Sequence, residues 1–187
     1  MILGRLGADA VEVRLPEQLD GLDGLVIPGG ESTTMGKLMD AFGLTEPLRA
    51  FATKHPIFGT CAGLIMLASR TVEGTQTLLG LMDITVRRNA FGSQVYSFEA
   101  PVDLCLEGED DRTVMTGVFI RAPWVEEHGP AVRVVAKCDG RTVGVRQGHL
   151  LGVSFHPELT DDTRLHEYFL REVVAEARAA AHPAISS

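Results

Sequence analysis

The stretch Gly59-Thr60-Cys61-Ala62-Gly63 follows a short apolar run, Pro56-Ile57-Phe58, and leads into Leu64-Ile65-Met66-Leu67-Ala68. This order predicts a strand, a tight turn and a helix with a cysteine at the apex, the thiol version of the G-x-S-x-G nucleophile elbow. Strand and helix pass close together in such a turn, and Gly59 and Gly63 are the small neighbours it needs. A cysteine at a helix N-terminus meets unpaired N–H groups and the positive end of the helix dipole, which favour a thiolate. The backbone N–H of Ala62 points where an oxyanion would form during attack on a carbonyl. A buried cysteine beside a glycine-rich turn has the same local pattern, so the elbow alone leaves both readings open.

A cysteine nucleophile needs a base and a group that orients the base. Of the six histidines, His156 ends a predicted strand, Leu151-Gly152-Val153-Ser154-Phe155, and opens His156-Pro157-Glu158. Pro157 pushes His156 out of the helical region, and extended backbone there sets side chains 156 and 158 on the same side. Glu158 would then fix the imidazole tautomer while His156 faces the thiol. A surface His-Pro-Glu turn is the alternative. The elbow weighs against it, because both motifs end predicted strands, the sheet edge where ligand sites gather in α/β proteins. His55, His128, His149, His166 and His182 lack this setting and read as structural or solvated.

A third turn, Pro28-Gly29-Gly30-Glu31-Ser32, also joins a strand to a helix. Its glycines would let backbone approach a substrate and offer a second oxyanion donor. There is no G-K-[ST] sequence, and Glu31 would repel phosphate while suiting an ammonium group.

The elements that must carry these residues are legible in outline. Ala10–Leu15 and Leu25-Val26-Ile27 read as strands, the second fully apolar as in a parallel sheet buried on both faces. Gly7 reads as a helix C-cap. Thr33–Phe42 reads as a helix capped by Ser32 or Thr33, with Met35, Leu38, Met39 and Phe42 inward. Thr45–Thr53 follows as a second helix. Beyond the elbow come predicted strands at 84–87, 94–98, 116–120, 132–137, 142–146 and 150–155. Asp139-Gly140 makes a hairpin turn, and Gln147-Gly148 the next. A closing helix over 161–179, capped by Thr160, carries the stripe Leu165, Tyr168, Phe169 and Val173. The fold class is therefore α/β: a mostly parallel central sheet flanked by helices, with an antiparallel extension.

The 187 residues suit a single domain over 1–187, with a frayed tail at 179–187. The formal net charge of −8, without a basic block, argues against nucleic acid and anionic membrane surfaces as partners. No apolar stretch is long enough to span a bilayer, and the N-terminus has no signal-peptide pattern. Three cysteines without C-x-x-C spacing point to a reducing cytoplasm rather than to disulfides or zinc.

A Gly-Gly turn, a G-x-C-x-G elbow and a late H-P-E, in that order, resemble the class I, triad-type glutamine amidotransferases. Within them the chain is similar to the glutaminase subunits of pyridoxal 5′-phosphate synthases. Pro28–Met35, Phe58–Leu64, Arg87-Arg88-Asn89-Ala90-Phe91-Gly92, Val118-Phe119-Ile120-Arg121-Ala122-Pro123 and Phe155–Thr160 carry the likeness. The resemblance covers the chain to about Val174 and implies a flavodoxin-like three-layer fold. It implies that Cys61 attacks the side-chain amide of glutamine, that His156 moves the proton with Glu158 orienting it, and that the N–H groups of Gly30 and Ala62 bind the oxyanion. Gly29, Gly30, Glu31, Arg88, Ile120 and Arg121 match glutamine-contacting positions, an arginine for the α-carboxylate and a glutamate for the α-amino group. No metal or cofactor is implied. Ammonia would pass to a synthase subunit within a large hetero-oligomer that makes the vitamin B6 form pyridoxal 5′-phosphate. A glutaminase subunit of another amidotransferase and a non-catalytic scaffold subunit are the rival readings; the R-N-x-F-G and F-I-R-A-P stretches oppose the first, an intact Cys61, His156 and Glu158 the second. Relatives begin with a strand, a turn and half a helix, whereas this chain enters that pattern at Ile2–Gly7. The expectation is a misassigned or shortened start, which intact mass from the native source would test.

Overall fold

A strand buried on both faces must be apolar on both. The central strand β2 (Ile57–Thr60) is buried throughout, with Ile57 in one core cluster and Phe58 in the other. It is flanked in parallel by β1 (Leu25–Ile27) and β10 (Leu150–Val153). Leu150 and Leu151 divide between the same two clusters. The computed structural model describes residues 2–92, 97–106 and 112–181, and among these ten strands form one mixed sheet.

From β10 the sheet continues antiparallel through β9 (Arg141–Gln147), β7 (Trp124–His128) and β4 (Met82–Arg87) to β3 (Ala68–Thr71), which runs parallel to β4. β5 (Ser97–Cys105) pairs along its whole length with β6 (Arg112–Ile120) and also with β8 (Arg133–Cys138), forming the expected antiparallel extension. Asp139 and Gly140 join β8 to β9 with φ of 47° and 75°, the left-handed pair of a tight hairpin. The next turn is centred one residue later than expected, on Gly148-His149.

Helices α2 (Ser32–Ala41), α3 (Thr45–Ala52) and α4 (Ala62–Leu67) lie on one face, where Leu48, Phe51, Leu64 and Met66 share a cluster with Ile57. The other face is covered by α5 (Arg164–Tyr168) and α6 (Val174–Ala181), joined by a π turn over Phe169–Val173. Leu165, Tyr168, Phe169 and Val173 all pack there with Phe58 and Leu151, as the stripe predicts. No helix among the described residues is long and apolar enough to cross a membrane.

Several expectations are corrected. Ala10–Leu15 forms no strand. No described strand pairs with it, and a row of backbone groups without a ladder partner is only extended chain. The Gln18 side chain instead accepts the N–H groups of Arg14 and Leu15, at 2.7 and 2.9 Å. On α2, Met35 and Met39 pack inward, but Leu38 and Phe42 are half exposed. The closing helix begins at Arg164 rather than Asp161. Thr160 Oγ1 accepts the Asp162 N–H and donates to Pro157 O, holding a turn, and the Asp162 carboxylate then accepts the Arg164 N–H. β3 and β7 escape sequence reading, β3 because it follows α4 without a turn residue and β7 because three of its five residues are charged or titratable and exposed. Of the strand expected over 94–98, residues 94–96 lie outside the described residues, and Ser97-Phe98 open β5. Gly7 does cap the short helix α1 (Ile2–Arg5): its φ is +87°, and Ala8 N–H reaches back to Leu3 O.

The crossing of α4 over the sheet needs bare backbone. A Cβ on Gly59 would lie 2.6 Å from the Gly63 carbonyl carbon, and one on Gly63 would collide with the Ile27 carbonyl of β1. Gly63→Ala should therefore cost about 3 kcal/mol or prevent folding, the upper range for overpacking against an element that cannot yield. Urea unfolding of the variant beside wild type measures this.

Candidate functional site

The three strand ends converge as the motifs require. Cys61 extends β2 by one residue: its N–H bonds to Val153 O of β10 at 2.8 Å. Its backbone then turns to φ 51°, ψ −107°, outside the ordinary regions for a side-chain-bearing residue. The helix starts at Ala62, so the N–H groups of Ala62 and Gly63 have no intrahelical acceptor, whereas Leu64 N–H already bonds to Cys61 O at 3.1 Å. Cys61 Sγ sits 3.8 Å from Ile120 O, at the end of β6.

His156 is held by the same strands. Past the end of β10, Ser154 N–H bonds to Val143 O of β9 and His156 N–H to Val118 O of β6, both at 2.8 Å. Its imidazole Nδ1 pairs with Glu158 Oε1 at 2.7 Å. The extended backbone expected for this pair is replaced by a single 3₁₀ turn over Pro157–Leu159. The turn curls the carboxylate back beneath the ring. Gly29 completes the fit, because a Cβ there would collide with His156 Cε1 and come within 3.4 Å of Cys61 Cβ.

The electrostatics follow from these contacts. Hydrogen bonding to the Cys61 sulfur, then to Glu158, pushes His156 up to about 10 against the opposing effect of burial. These contacts favour the protonated ring, with Nδ1 directed at the carboxylate. Burial would raise Glu158, but the hydrogen bond from His156 and one from its own backbone outweigh it and keep it below its ordinary value. His166 is a different case. It is buried, packs edge-to-face on Phe58 at 5.7 Å and is lowered by desolvation, as befits the structural role read for it.

A cavity of about 480 Å³ opens onto the thiol. Gly29, Gly30, Glu31, Cys61, Ala62, Arg88, Ile120, Arg121 and His156 all line it, and Glu158 stands behind His156. Every site residue singled out from the sequence is thus brought to one place. A larger hollow of about 650 Å³, lined by Asp40, Arg49, Gln76 and Thr77 among others, has no cysteine or histidine in its wall.

Glu31 has a role the sequence did not suggest for it. It, and not Ser32 or Thr33, is the N-cap of α2. Its two oxygens accept the N–H groups of Thr33 and Thr34 and the Thr34 hydroxyl. The Thr34 hydroxyl above all, then the Thr34 and Thr33 N–H groups, pull it down to about 2, so it carries a fixed negative charge at the cavity wall.

Ser32, Thr33, Ile65 and Asn89 also line the cavity and were missed. Asn89, at φ 44°, and Arg121, at φ 45°, are held in the left-handed region. The adjoining Arg88-Asn89 in the R-N-x-F-G stretch was the available signal for Asn89. Behind them, the chain between β3 and β4 sends Glu73 and Gln76 to Arg88. A lone glutamine in a polar loop gives no such signal.

The sequence profile of the SNO glutamine amidotransferase family matches residues 2–175. A curated relative from Geobacillus kaustophilus, named pyridoxal 5′-phosphate synthase subunit PdxT, is 59% identical over 175 residues, covering 93% of this chain and 87% of the relative. A second of the same name, from Acidothermus cellulolyticus, is 58% identical over 184 residues, covering 94% of this chain and 87% of its own length. Among solved structures, a glutamine amidotransferase superposes with a TM-score of 0.85 at 46% identity, covering 93% of this chain and 90% of that one.

The Glu31 cap gives a signed test. Its value in the fold lies below the ordinary 4.5, so its contribution to stability is complete above pH 4.5 and is lost as pH falls toward about 2. Glu31→Ala should cost about 1 kcal/mol at pH 7, the worth of a cap in an exposed setting. That deficit should shrink as pH falls below 4.5, which paired thermal melts of variant and wild type would follow.

Proposed function

This chain belongs to the SNO glutamine amidotransferase family, and from that premise we propose that it is the glutamine-hydrolysing subunit of a pyridoxal 5′-phosphate synthase. The observation that carries the reading is Cys61 and His156, the latter held by Glu158, together at the wall of a cavity lined by Glu31 and Arg88. The relatives named for that synthase extend over nearly the whole chain.

The chemistry follows from the charges. Glutamine would enter with its α-amino group toward Glu31 and its α-carboxylate toward Arg88 and Arg121. This orientation brings the side-chain amide to Cys61. With the thiol proton passed to His156, the sulfur forms a bond to the amide carbon, and the carbonyl π pair moves to oxygen. The N–H groups of Gly30 and Ala62 receive that oxyanion. As the tetrahedral intermediate collapses, the C–N bond breaks and His156 gives its proton to the departing nitrogen, releasing ammonia. A γ-glutamyl thioester remains on Cys61. His156, now neutral, takes a proton from water as the water oxygen attacks the thioester carbon. Glutamate leaves, and the sulfur and imidazolium are restored. Glu158 stabilises the imidazolium at both ends of the cycle.

Ammonia free in water at neutral pH is mostly ammonium, which has no lone pair for attack on a carbonyl. Direct delivery to a partner synthase subunit in a hetero-oligomer solves that problem and fits the word subunit in the relatives' names. Two glycine-rich turns that leave room for substrate, and charges of both signs at the cavity wall, favour this reading over a scaffold subunit.

Cys61→Ala should abolish glutamate release from glutamine in the complex with the cognate synthase while leaving the melting temperature nearly unchanged. His156→Asn should lower kcat by at least about 10³-fold, as loss of a group that moves the proton in both half-reactions implies. Turnover near the wild-type rate in either variant would overturn the role of that residue in the cycle.

A further inference from the structure

Resting on that reading, we propose that Gln76 is a positioning residue for glutamine, acting through Arg88 on the substrate's α-carboxylate. Gln76 lies between β3 and β4, outside every motif that marks the site. Its side-chain oxygen Oε1 accepts from Arg88 Nη1 at 2.7 Å. It also accepts from the hydroxyls of Ser32 and Thr33, both at 3.4 Å. Thr33 Oγ1 in turn accepts from Arg88 Nη1 at 3.1 Å. A closed triangle of Gln76, Thr33 and Arg88 thus ties the first turn of α2 to the end of β4, the two walls of the cavity on either side of Glu31 and Arg88.

The orientation of the amide follows from chemistry. A guanidinium has only donors, so the oxygen of Gln76 must face it. The amide nitrogen Nε2 is then left buried without a partner, as is Arg88 Nε. A buried donor without an acceptor is costly, and that cost is accepted in order to hold the guanidinium. Glu73, three residues earlier, accepts the Arg88 backbone N–H at 2.9 Å and places a carboxylate oxygen 3.7 Å from Nε. Both hydrogens of Nη1 are engaged by Gln76 and Thr33, and Glu73 stands on the Nε side. Among the described residues Nη2 has no protein acceptor, and it is the corner left for a carboxylate in the cavity that Arg88 lines.

A long cationic side chain loses rotamer freedom when it is bound, and a fixed guanidinium loses less on meeting substrate. The effect belongs to ground-state and transition-state binding alike, since the α-carboxylate does not change during the reaction. It should therefore appear in KM rather than kcat.

The test is the glutaminase assay of the complete complex with the synthase subunit, on wild type, Gln76→Ala, Arg88→Ala and the double variant, with melting temperatures alongside. Gln76→Ala should raise KM for glutamine about tenfold with kcat changed less than about threefold, the pattern of lost uniform binding. In the Arg88→Ala background the same substitution should change kcat/KM by less than about twofold, because the two residues act as one unit. A wild-type KM in Gln76→Ala, a loss carried by kcat, or an equal loss in both backgrounds would overturn the assignment to Arg88. Wild-type complex that hydrolyses no glutamine would overturn the functional reading, and this inference with it.

Discussion

Backbone laid directly on backbone, where α4 crosses β1 and β2, is the contact on which the rest of the site depends. Gly63 meets the Ile27 carbonyl, Gly59 meets Gly63, and Leu64 fills the space above Gly152. Without Cβ atoms at these positions the helix comes close enough for the chain to reverse within one residue. Cys61 is that residue, and it takes the unusual backbone angles the reversal demands. The thiol is then neither on a loop nor on a surface. It stands on the end of a central strand, with Val153 fixing its N–H and the end of β6 against its sulfur. Precision of this kind is easiest on rigid elements, because no loop has to be ordered when substrate arrives.

The same close packing decides where charge can sit. The protonated form of His156 is favoured by the sulfur in front of it and Glu158 behind. Each of these groups would be poorly placed alone in a partly desolvated wall. Glu31 is stabilised differently, by the Thr34 hydroxyl and then the N-terminal N–H groups of α2, so its charge does not draw on the triad. Negative charge from Glu31 and positive charge from Arg88 are thereby held apart along one cavity, each secured by a separate set of hydrogen bonds. Two opposite charges are thus already in place along the wall that also carries the thiol.

Much of this was readable from residue order, and the failures share a cause. Elements whose neighbours are close in sequence, such as the Asp139-Gly140 hairpin and the Gly7 cap, carry their own instructions in turn chemistry. The buried parallel strands do too, because burial on both faces leaves only apolar residues. Ala10–Leu15 has a strand's composition but, among the described residues, no strand beside it, and composition cannot show a partner. Leu38 and Phe42 have the spacing of an inward face, yet the helix is rotated to seat Met35 and Met39. In the site, the motif residues were legible because glycine, cysteine, histidine and proline are constrained by what they alone can do. Glu31 as a cap was missed because serine and threonine stood beside it with equal claim. Gln76 and Glu73 were missed because their part is played across the fold, on Arg88, twelve or more residues away.

The described chain has four side-chain-bearing residues in the left-handed region, and Cys61, Asn89 and Arg121 are three of them, all at the cavity wall. Each such residue costs on the order of 1–3 kcal/mol, against a total stability of about 5–15 kcal/mol for an ordinary domain. Selection for robustness alone would replace the three with glycine. The protein keeps a thiol, an amide and a guanidinium there instead, so the cavity wall is also its least relaxed stretch of backbone among the described residues. Evolution toward greater heat resistance must then find its gains in the sheet and the outer helices, since relief at the cavity would remove the groups that line it.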